Sequence, residues 1–304
     1  MIEPELTWPM ATLLAGVRLA GHLPLRVLHI AGSLFGGVLW LLNGRARKVT
    51  QRNLELVLPH EDLATRSRLA RAALAETGKS MTEIARIWSG NPQRALALVR
   101  DVRGGELLDA ALASERGVVI CAPHLGCWEL LNYWLAARMP LAIVYRPPKL
   151  ASLEALLLKA RGALEVEQVR AEGAGVRALY RRLASGGAVG ILPDQQPKQG
   201  EGQFAPFFGI EALTMVLVSR LAHRTGAQVL FAFTERLPRG AGFRIHLNSA
   251  PDGVVDSELR VACSALNAGV ERCVREAFVQ YQWHYKRYSR RPQLGDPELY
   301  PDMR

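Results

Sequence analysis

The sequence predicts an α/β fold in which a mostly parallel central sheet is flanked by helices on both faces. From residue 118 onward, short apolar runs bounded by Gly, Pro or polar residues alternate with segments of helical periodicity. Most of these runs are largely apolar, as is typical of parallel strands buried on both faces, whereas Val166–Arg170 is a weaker strand signal. The predicted strands are Val118–Ala122, Leu141–Tyr145, Val166–Arg170, Ala188–Leu192, Val229–Thr234 and Phe243–Leu247. The predicted helices are Cys127–Ala137, Leu153–Arg161, Gly175–Leu183, Ala212–Thr225, after a long polar loop, and Ser257–Phe278.

Helical segments also precede the first predicted strand. The spacing of apolar residues predicts a helix over Asp62–Trp88, with a possible break near Gly78, and a second helix over Gly105–Leu112. We find no internal repeat, low-complexity tract or linker in this part of the chain. The helices therefore belong to the same globular unit as the strands.

The N-terminal stretch Trp8–Leu42 contains no acidic residue and is rich in Leu, Ala, Gly and Val. Its longest run without Lys or Arg, Val27–Leu42, is shorter than the ~20 residues that cross a bilayer. We therefore predict a membrane-associating hairpin or a pair of interfacial helices, with a single tilted span as the second choice. A helical pair in the core of the protein is the remaining alternative.

Four basic residues follow this stretch: Arg45, Arg47, Lys48 and Arg52. Such residues contribute about 1 kcal/mol each at an anionic membrane surface, and they favour a cytoplasmic location for the domain that follows. We therefore divide the chain into a membrane-associating helical segment, residues 1–44, and an α/β domain, residues 45–304.

Composition limits the classes of partner and cofactor. The formal charge of +10 over 304 residues indicates an acidic partner such as phosphate-bearing lipid, nucleic acid or an acidic protein. Only the run Trp283–Arg291 interleaves basic with aromatic residues, and a helix along headgroups or a segment that seals the fold explains it better than nucleic-acid binding. The four cysteines lack metal-ligand spacing, and GxGxxG, GxxxxGK[ST] and GxSxG motifs are absent, so we predict no metal and no cofactor.

His124 follows the first predicted strand, at the position where α/β sheets place their ligands. Glu129 comes five residues later, in the first turns of the next helix, where its carboxylate could orient the imidazole. A base with an orienting acid can deprotonate a hydroxyl that arrives with the substrate, without a covalent intermediate. In the alternative interpretation His124 is a turn residue and Glu129 a solvated helix position. A catalytic thiol at Cys127 also remains open, although no local signature supports it.

Other candidate residues follow later strands, at the same predicted edge of the sheet. Arg146 and Lys149 come after the second strand, and Asp194 comes after the fourth. Arginine can bind phosphate or a developing oxyanion, although a single arginine is more often structural, and Asp194 alone could be a loop cap. Further candidates are Arg161, which closes a helix between them, and the aromatic pair Phe207 and Phe208, which could line an apolar slot or lie in the core.

At this point the ordered set of motifs resembles a known family. His124-Leu-Gly-Cys-Trp-Glu129 matches the HxxxxD/E signature of glycerolipid-type acyltransferases, and the full set resembles the bacterial late acyltransferases of lipid A biosynthesis, the lauroyl and myristoyl transferases. The resemblance runs from about residue 10 to residue 292. Its other motifs are Arg47…Arg52-Asn53-Leu54, Val144-Tyr-Arg146-Pro, Arg161-Gly162, Ile191-Leu-Pro-Asp194-Gln195, Phe204-Ala-Pro-Phe-Phe-Gly209 and Gln280-Tyr-Gln-Trp283-His-Tyr-Lys286-Arg287-Tyr288.

The resemblance implies roles for these residues. His124 would be the general base with Glu129 as its partner, and Arg161 would bind the thioester oxyanion or a substrate phosphate. Arg146 and Asp194 fall on other motif positions of the family. One departure concerns the loop after Arg146: many family members have an Asn-containing sequence where this chain has Pro148-Lys149-Leu. That loop would face the acceptor or the thioester.

The resemblance also implies an activity. The enzyme would act at the cytoplasmic face of the inner membrane, and would move a fatty acyl chain from acyl carrier protein to a hydroxyl of a lipid A precursor. Neither metal nor cofactor would be required. Acyl carrier protein, the phosphorylated precursor and an anionic membrane surface are all acidic, in agreement with the +10 charge. Two alternatives stay open: another acceptor, such as a lysophospholipid or an amino-acid lipid, and a non-catalytic lipid-binding protein in which His124 is structural.

Overall fold

The computed structural model describes residues 12, 15–17, 19–88, 91–145, 166–170, 173–198, 200–301 and 303. The predicted helix Leu153–Arg161 lies outside these residues. The α-helices are α1 Leu25–Leu41, α2 Arg45–Val57, α3 Leu63–Ile87, α4 Pro92–Leu96, α5 Gly105–Ala113, α6 Trp128–Ala136, α7 Ala174–Ala184, α8 Leu217–Thr225 and α9 Leu259–Glu276. The strands are β1 Val99–Arg103, β2 Val118–Cys121, β3 Leu141–Tyr145, β4 Glu167–Arg170, β5 Ala188–Ile191, β6 Gly202–Phe207, β7 Ile210–Met215, β8 Gln228–Arg236 and β9 Phe243–Ser249.

Seven strands form the central sheet in the order β1-β9-β8-β2-β5-β3-β4. All neighbours are parallel except β8 and β9, so β1 and β9 run against the other five strands. Alternate residues of β2 contribute to two separate apolar clusters: Val119 and Cys121 to one, Val118 and Ile120 to the other. The sheet is thus covered on both faces, and the predicted α/β class with a mostly parallel sheet is confirmed.

Two elements near the sheet differ from the sequence-based prediction. The predicted helix Ala212–Thr225 begins only at Leu217, and the preceding residues form an antiparallel hairpin of β6 and β7. Its two-residue turn, Phe208 and Gly209, has positive φ at both positions, 49° and 76°. That geometry suits the twist of a tight hairpin, and the glycine adopts it without steric cost. Strand β1 was not predicted, because three of its residues Val99–Arg103 are charged; in the structure most of this strand is exposed or partly exposed.

Helix α3 is continuous through Gly78, where the sequence suggested a break. The glycine allows α1 to pack closely, because a Cβ atom at residue 78 would lie 1.9 Å from the Gly32 carbonyl oxygen. Gly36 of α1 approaches α3 in the same way, and its Cβ would lie 2.3 Å from the Leu74 carbonyl oxygen. Small residues at these positions let the two backbones come into direct contact.

The opposite face of α1 is apolar and exposed to solvent. It carries Val27, Ile30, Leu34, Val38 and Leu41, which recur at helical spacing. Within the part of the chain that the structure describes, no single helix has both the length and the hydropathy of a membrane span. Helices α1 and α2 meet these criteria only together, across a bend of 85°. The membrane association predicted for residues 1–44 and the division at residue 44 therefore stay predictions.

Candidate active site

The loop between β2 and α6 carries His124 at the carboxyl end of the sheet. Gly126 in this loop has a φ of 60°, and a Cβ atom there would lie 1.9 Å from the Thr234 carbonyl oxygen of β8. The Cys127 N–H donates to the same carbonyl, with a nitrogen–oxygen distance of 2.9 Å. Only glycine permits so close an approach, so the local sequence fixes the loop against the end of β8.

Asp194 lies beside His124 because β5 is the direct neighbour of β2 in the sheet. Its Oδ1 is 2.9 Å from the His124 Nδ1 atom and also accepts a hydrogen bond of 3.1 Å from the His124 backbone N–H. The Asp194 side chain is 2 % exposed, whereas that of His124 is 16 % exposed. The buried carboxylate therefore orients the imidazole, and the ring reaches the surface of the site.

The electrostatics of this pair keep Asp194 ionised. Burial alone would raise the pKa of Asp194, but the attraction of His124 and the hydrogen bonds from His124 lower it below its ordinary value. A carboxylate only accepts hydrogen bonds, so it fixes the tautomer in which His124 Nδ1 carries the proton. The Nε2 lone pair is then left to act as a base.

Glu129 lies in the first turn of α6 and is buried. Its Oε2 accepts a hydrogen bond of 3.3 Å from the indole Nε1–H of Trp88, at the end of α3. Sequence reasoning assigned the orienting carboxylate to Glu129, but the carboxylate that is hydrogen-bonded to His124 Nδ1 belongs to Asp194. The alternative in which Glu129 is a solvated helix position is wrong, because its side chain is buried.

The His124 loop forms one wall of the site, and residues 280–288 form the other, the C-terminal wall. The Gly126 N–H donates to the Gln280 carbonyl, and the Gln282 N–H donates to the His124 carbonyl, so this segment pairs with the loop on both sides of Leu125. The Gln195 side chain bridges the two walls: its Nε2 lies 3.3 Å from His124 Nε2 and 2.9 Å from Gln282 Oε1. Gln195 and Gln282 were not predicted as site residues, although both fall within the motifs that carry the family resemblance.

The same segment contains a second histidine, His284, whose Nδ1 lies 3.3 Å from Thr77 Oγ1 of α3. Burial, together with the nearby positive charges of His124 and Arg45, lowers the pKa of His284 to about 4. His284 is therefore neutral at physiological pH. It adds no charge that would oppose protonation of His124 during a reaction.

Asn53 of α2 holds this wall in place. Its Nδ2 donates to the carbonyls of Trp283 and Tyr285, at 2.6 and 2.8 Å, and its Oδ1 accepts from the Tyr300 hydroxyl. The run Trp283–Arg291 is folded into the protein as turns, with Arg287 buried. The interpretation that this run seals the fold is confirmed, and the alternative of a helix along headgroups is wrong.

A buried cluster of charged side chains connects two helices to the segments that hold the His124 loop. Arg236, at the end of β8, donates to both carboxylate oxygens of Glu83, at 2.6 and 2.7 Å, and to Glu76 at 2.7 Å. His29 of α1 lies 3.2 Å from the same Glu83. The Arg236 backbone N–H donates to the side chain of Gln280, at 2.8 Å. The cluster thus connects α1 and α3 to the strand end and the segment that hold the His124 loop.

The remaining predicted residues divide into two groups. Phe207 is buried and packs against Tyr281 and Tyr288, which makes it a core residue of the C-terminal wall. Phe208 is partly buried and packs on Trp283. Arg146, Lys149 and Arg161 lie outside the described residues, so their predicted contributions stay predictions.

The cysteines are poor candidates for chemistry. Cys127 is buried, and burial raises the pKa of its thiol well above the ordinary value, with the negative charge of Glu83 adding to the effect. Burial likewise raises the pKa of Cys121. A thiol in such surroundings is rarely ionised and is a weak nucleophile. Over the described part of the chain, no group of three or more His, Cys, Asp or Glu side chains could hold a metal ion.

Comparison with known proteins places this site in a family context. Residues 5–290 match the family profile described as bacterial lipid A biosynthesis acyltransferase. The chain is 26 % identical over 283 residues to the lipid A biosynthesis palmitoleoyltransferase of Escherichia coli K12, and these cover 92 % of this chain and 90 % of that enzyme. It is 25 % identical over 280 residues to the lipid A biosynthesis lauroyltransferase of the same organism, with the same two coverages.

A more distant type of relative is the phosphatidylinositol mannoside acyltransferase of Mycobacterium tuberculosis H37Rv. It is 30 % identical over 202 residues, which cover 64 % of this chain and 63 % of that enzyme. The match of the family profile covers nearly the whole chain, and the chain has the ordered motifs and a histidine with an orienting carboxylate at the carboxyl edge of the sheet. We conclude that this protein is an acyltransferase that belongs to the bacterial lipid A biosynthesis acyltransferase family.

Proposed function

We propose that this enzyme transfers a fatty acyl chain from acyl carrier protein to a hydroxyl of a lipid A precursor, with His124 as the general base. The observation that carries the proposal is the contact of 2.9 Å between His124 Nδ1 and Asp194 Oδ1. It places the proton of the neutral imidazole on Nδ1 and the basic lone pair on Nε2, in a site whose cysteines are buried and protonated. The family membership and the names of the two Escherichia coli relatives support lipid A as the acceptor.

The proposed reaction proceeds in two steps. The acceptor hydroxyl gives its proton to His124 Nε2 while its oxygen forms a bond to the thioester carbonyl carbon. The carbon–sulfur bond then breaks, and the leaving thiolate takes the proton from the imidazolium, so that the enzyme returns to its starting state. Asp194 stabilises the imidazolium, and proton transfer by a positioned base contributes roughly 10²–10⁴-fold to the rate. Glu129 remains a proposed participant, which acts by fixing Trp88 and the start of α6.

The proposal includes the basic residues that the resemblance pointed out. Arg161 and Arg146 would stabilise the oxyanion or bind a substrate phosphate, and Lys149 would face the acceptor or the thioester. An arginine is suited to both tasks because its planar fork binds two oxygens of a phosphate or supports a developing negative charge. The net charge of +10 supports acidic partners, among them acyl carrier protein.

We further propose that α1 rests on an anionic membrane surface at the cytoplasmic face of the inner membrane. Its exposed apolar face, formed by Val27, Ile30, Leu34, Val38 and Leu41, supports this orientation. The exposed basic residues Arg45 and Lys48 follow α1 directly and would meet anionic headgroups. A lipid acceptor would then reach His124 without leaving the membrane surface.

The test is an acyl-transfer assay with detergent-solubilised enzyme, read by mass spectrometry. Acyl carrier proteins loaded with several chain lengths serve as donors, and a lipid A precursor competes with a lysophospholipid and a mannosylated phosphatidylinositol as acceptors. We expect a mass gain on the lipid A precursor that disappears with His124→Ala and falls about 10²-fold or more with Asp194→Asn. A mass gain on another acceptor alone would support the acyl-transfer reaction but refute a lipid A precursor as the acceptor. No gain on any acceptor, with folded protein, would favour a lipid-binding protein.

A further inference from the structure

The amide of Gln195 lies directly on the nitrogen that would act as the base. Its Nε2 is 3.3 Å from His124 Nε2, and the two groups are 71 residues apart along the chain. Gln195 follows Asp194, so one short loop after β5 supplies a partner to each ring nitrogen of His124. The proposed reaction gives a role to Asp194 but none to Gln195.

Hydrogen-bond chemistry fixes the direction of this contact. Asp194 accepts from Nδ1, so the neutral His124 ring offers a lone pair at Nε2, and its neighbour there must be a donor. The NH₂ group of Gln195 is such a donor, whereas its oxygen would face the lone pair without a proton between them. The same NH₂ group donates its other proton to Gln282 Oε1, at 2.9 Å. The Gln195 amide is thereby held in the orientation that presents a donor to the base.

Neighbouring residues hold Gln195 in this position through specific hydrogen bonds. The Gln282 backbone N–H donates to the His124 carbonyl, at 3.1 Å, which fixes the residue that in turn holds Gln195. The neighbouring Gln196 has the same chemistry but a different task. Its Nε2 donates to the carbonyls of Lys286 and Arg287 and so attaches the loop to the C-terminal wall.

We propose that Gln195 binds the acceptor's hydroxyl oxygen and aims it at the acyl carbonyl, while Gln282 holds Gln195 in place. This inference rests on the proposed function. Two nitrogens 3.3 Å apart can both lie at a hydrogen-bond distance of about 2.9 Å from one oxygen, in a nearly equilateral triangle. The hydroxyl donates its proton to His124 Nε2 and accepts from the Gln195 NH₂ group. It thereby replaces the direct contact between the two side chains, and the amide proton turns from the imidazole to the hydroxyl oxygen. A hydroxyl that is held at two points has a defined direction of attack.

The first test separates binding of the acceptor from binding of the donor. For Gln195→Ala, we expect the transfer kcat/KM for the acceptor to fall about 10–100-fold, the cost of one hydrogen bond to a reacting oxygen, with an unchanged KM for the acyl donor. Gln282→Ala should give a smaller loss in the same direction. Equal losses for donor and acceptor, or wild-type kinetics in both variants, would overturn the proposal.

The second test uses Gln195→Glu, which preserves the shape of the side chain. A carboxylate at this position would stabilise the imidazolium form of His124, so the pH–rate profile should move to higher pH by about one unit. Among the described residues, the carboxylate of Asp194 and the imidazole of His284 interact with the charge of His124, and Tyr281 faces Asp194; none of them is altered. The matched control is Gln228→Glu at the start of β8, the opposite edge of the sheet, which adds the same charge but should leave the profile unchanged.

Nuclear magnetic resonance of ¹⁵N-labelled histidine, with His124→Ala for assignment, provides a readout that does not depend on turnover. In Gln195→Glu the protonation curve of His124 should move to higher pH, and an unmoved curve would refute the contact. If the wild type transfers acyl chains and the Gln195 variants behave like it, this inference alone fails. If the wild type transfers nothing, the proposed function fails and the acceptor-binding part of the inference fails with it.

Discussion

Replacement of Arg236 by methionine tests how the buried charge cluster supports the fold. Arg236 is buried and donates to both oxygens of Glu83 and to Glu76. Methionine retains much of the side-chain volume but removes the positive charge. Glu83 would then be left as a buried carboxylate whose nearest partner is His29, at 3.2 Å. Removal of one member of a buried ion pair typically costs 3–5 kcal/mol.

The pKa of Glu83 gives the magnitude for this protein. Burial alone would raise this pKa, but Arg236 and His29 lower it from 4.5 to about 2. At about 1.4 kcal/mol per pKa unit, the net stabilisation of the ionised form is on the order of 3 kcal/mol. For a chain of this size, the loss of that amount corresponds to a fall in Tm of about 5–10 °C. We therefore expect Arg236→Met to lower the free energy of unfolding by about 3 kcal/mol or more at pH 7.

The sign of the pH dependence separates this explanation from simple loss of packing. In the wild type the stabilisation by Glu83 is present above pH 4.5 and is lost only as pH falls towards 2. In Arg236→Met, we expect burial to outweigh the remaining partner His29 and to raise the pKa of Glu83 above 4.5, so protonation of the carboxylate relieves the penalty as pH falls. The stability difference between variant and wild type should therefore be smaller at pH 5.5 than at pH 8.

The assay is urea denaturation of the detergent-solubilised protein, followed by fluorescence at both pH values. The double variant Glu83→Gln with Arg236→Met removes the uncompensated charge and should be more stable than Arg236→Met alone. A cost below about 1 kcal/mol for Arg236→Met would contradict the reasoning. So would a double variant that is no more stable than the single one, because the penalty would then not come from the carboxylate.

Three further changes test separate parts of the structure. Gly78→Ala should strongly lower the Tm, because its Cβ would lie 1.9 Å from the Gly32 carbonyl oxygen; an unchanged Tm would refute the close packing of α1 on α3. Cys127→Ala should retain most transfer activity, because its buried thiol is protonated; complete loss of transfer in a folded variant would reopen thiol chemistry. Glu129→Gln should lower turnover by less than Asp194→Asn, because Glu129 accepts from Trp88 whereas Asp194 accepts from the base; the reverse order in the transfer assay would restore Glu129 as the orienting carboxylate.

Part of the fold could be predicted because the sequence patterns that indicate it lie within a few consecutive residues. The strand Leu141–Tyr145 was predicted with its exact bounds, and the strand before His124 was placed correctly to within one residue. A short apolar run bounded by Gly and Pro identifies such a buried strand without information from other parts of the chain. The hairpin of β6 and β7 was missed because its turn, Phe208-Gly209, lacks the usual Asn-Gly pattern, and its strands read as a loop followed by a helix.

Three features could be predicted from the sequence: the α/β class, a histidine at the carboxyl end of a buried strand, and motifs that occur in the order of one family. The identity of the carboxylate that contacts this histidine could not be predicted, because it depends on the packing of the sheet. Glu129 is near His124 along the chain, but it lies on a helix that turns it towards Trp88. Asp194 is 70 residues away, and it reaches His124 because β5 pairs with β2 in the sheet. Strand order depends on how segments that are far apart in the sequence pack together. The spacing of residues along the chain therefore does not predict which strands are neighbours.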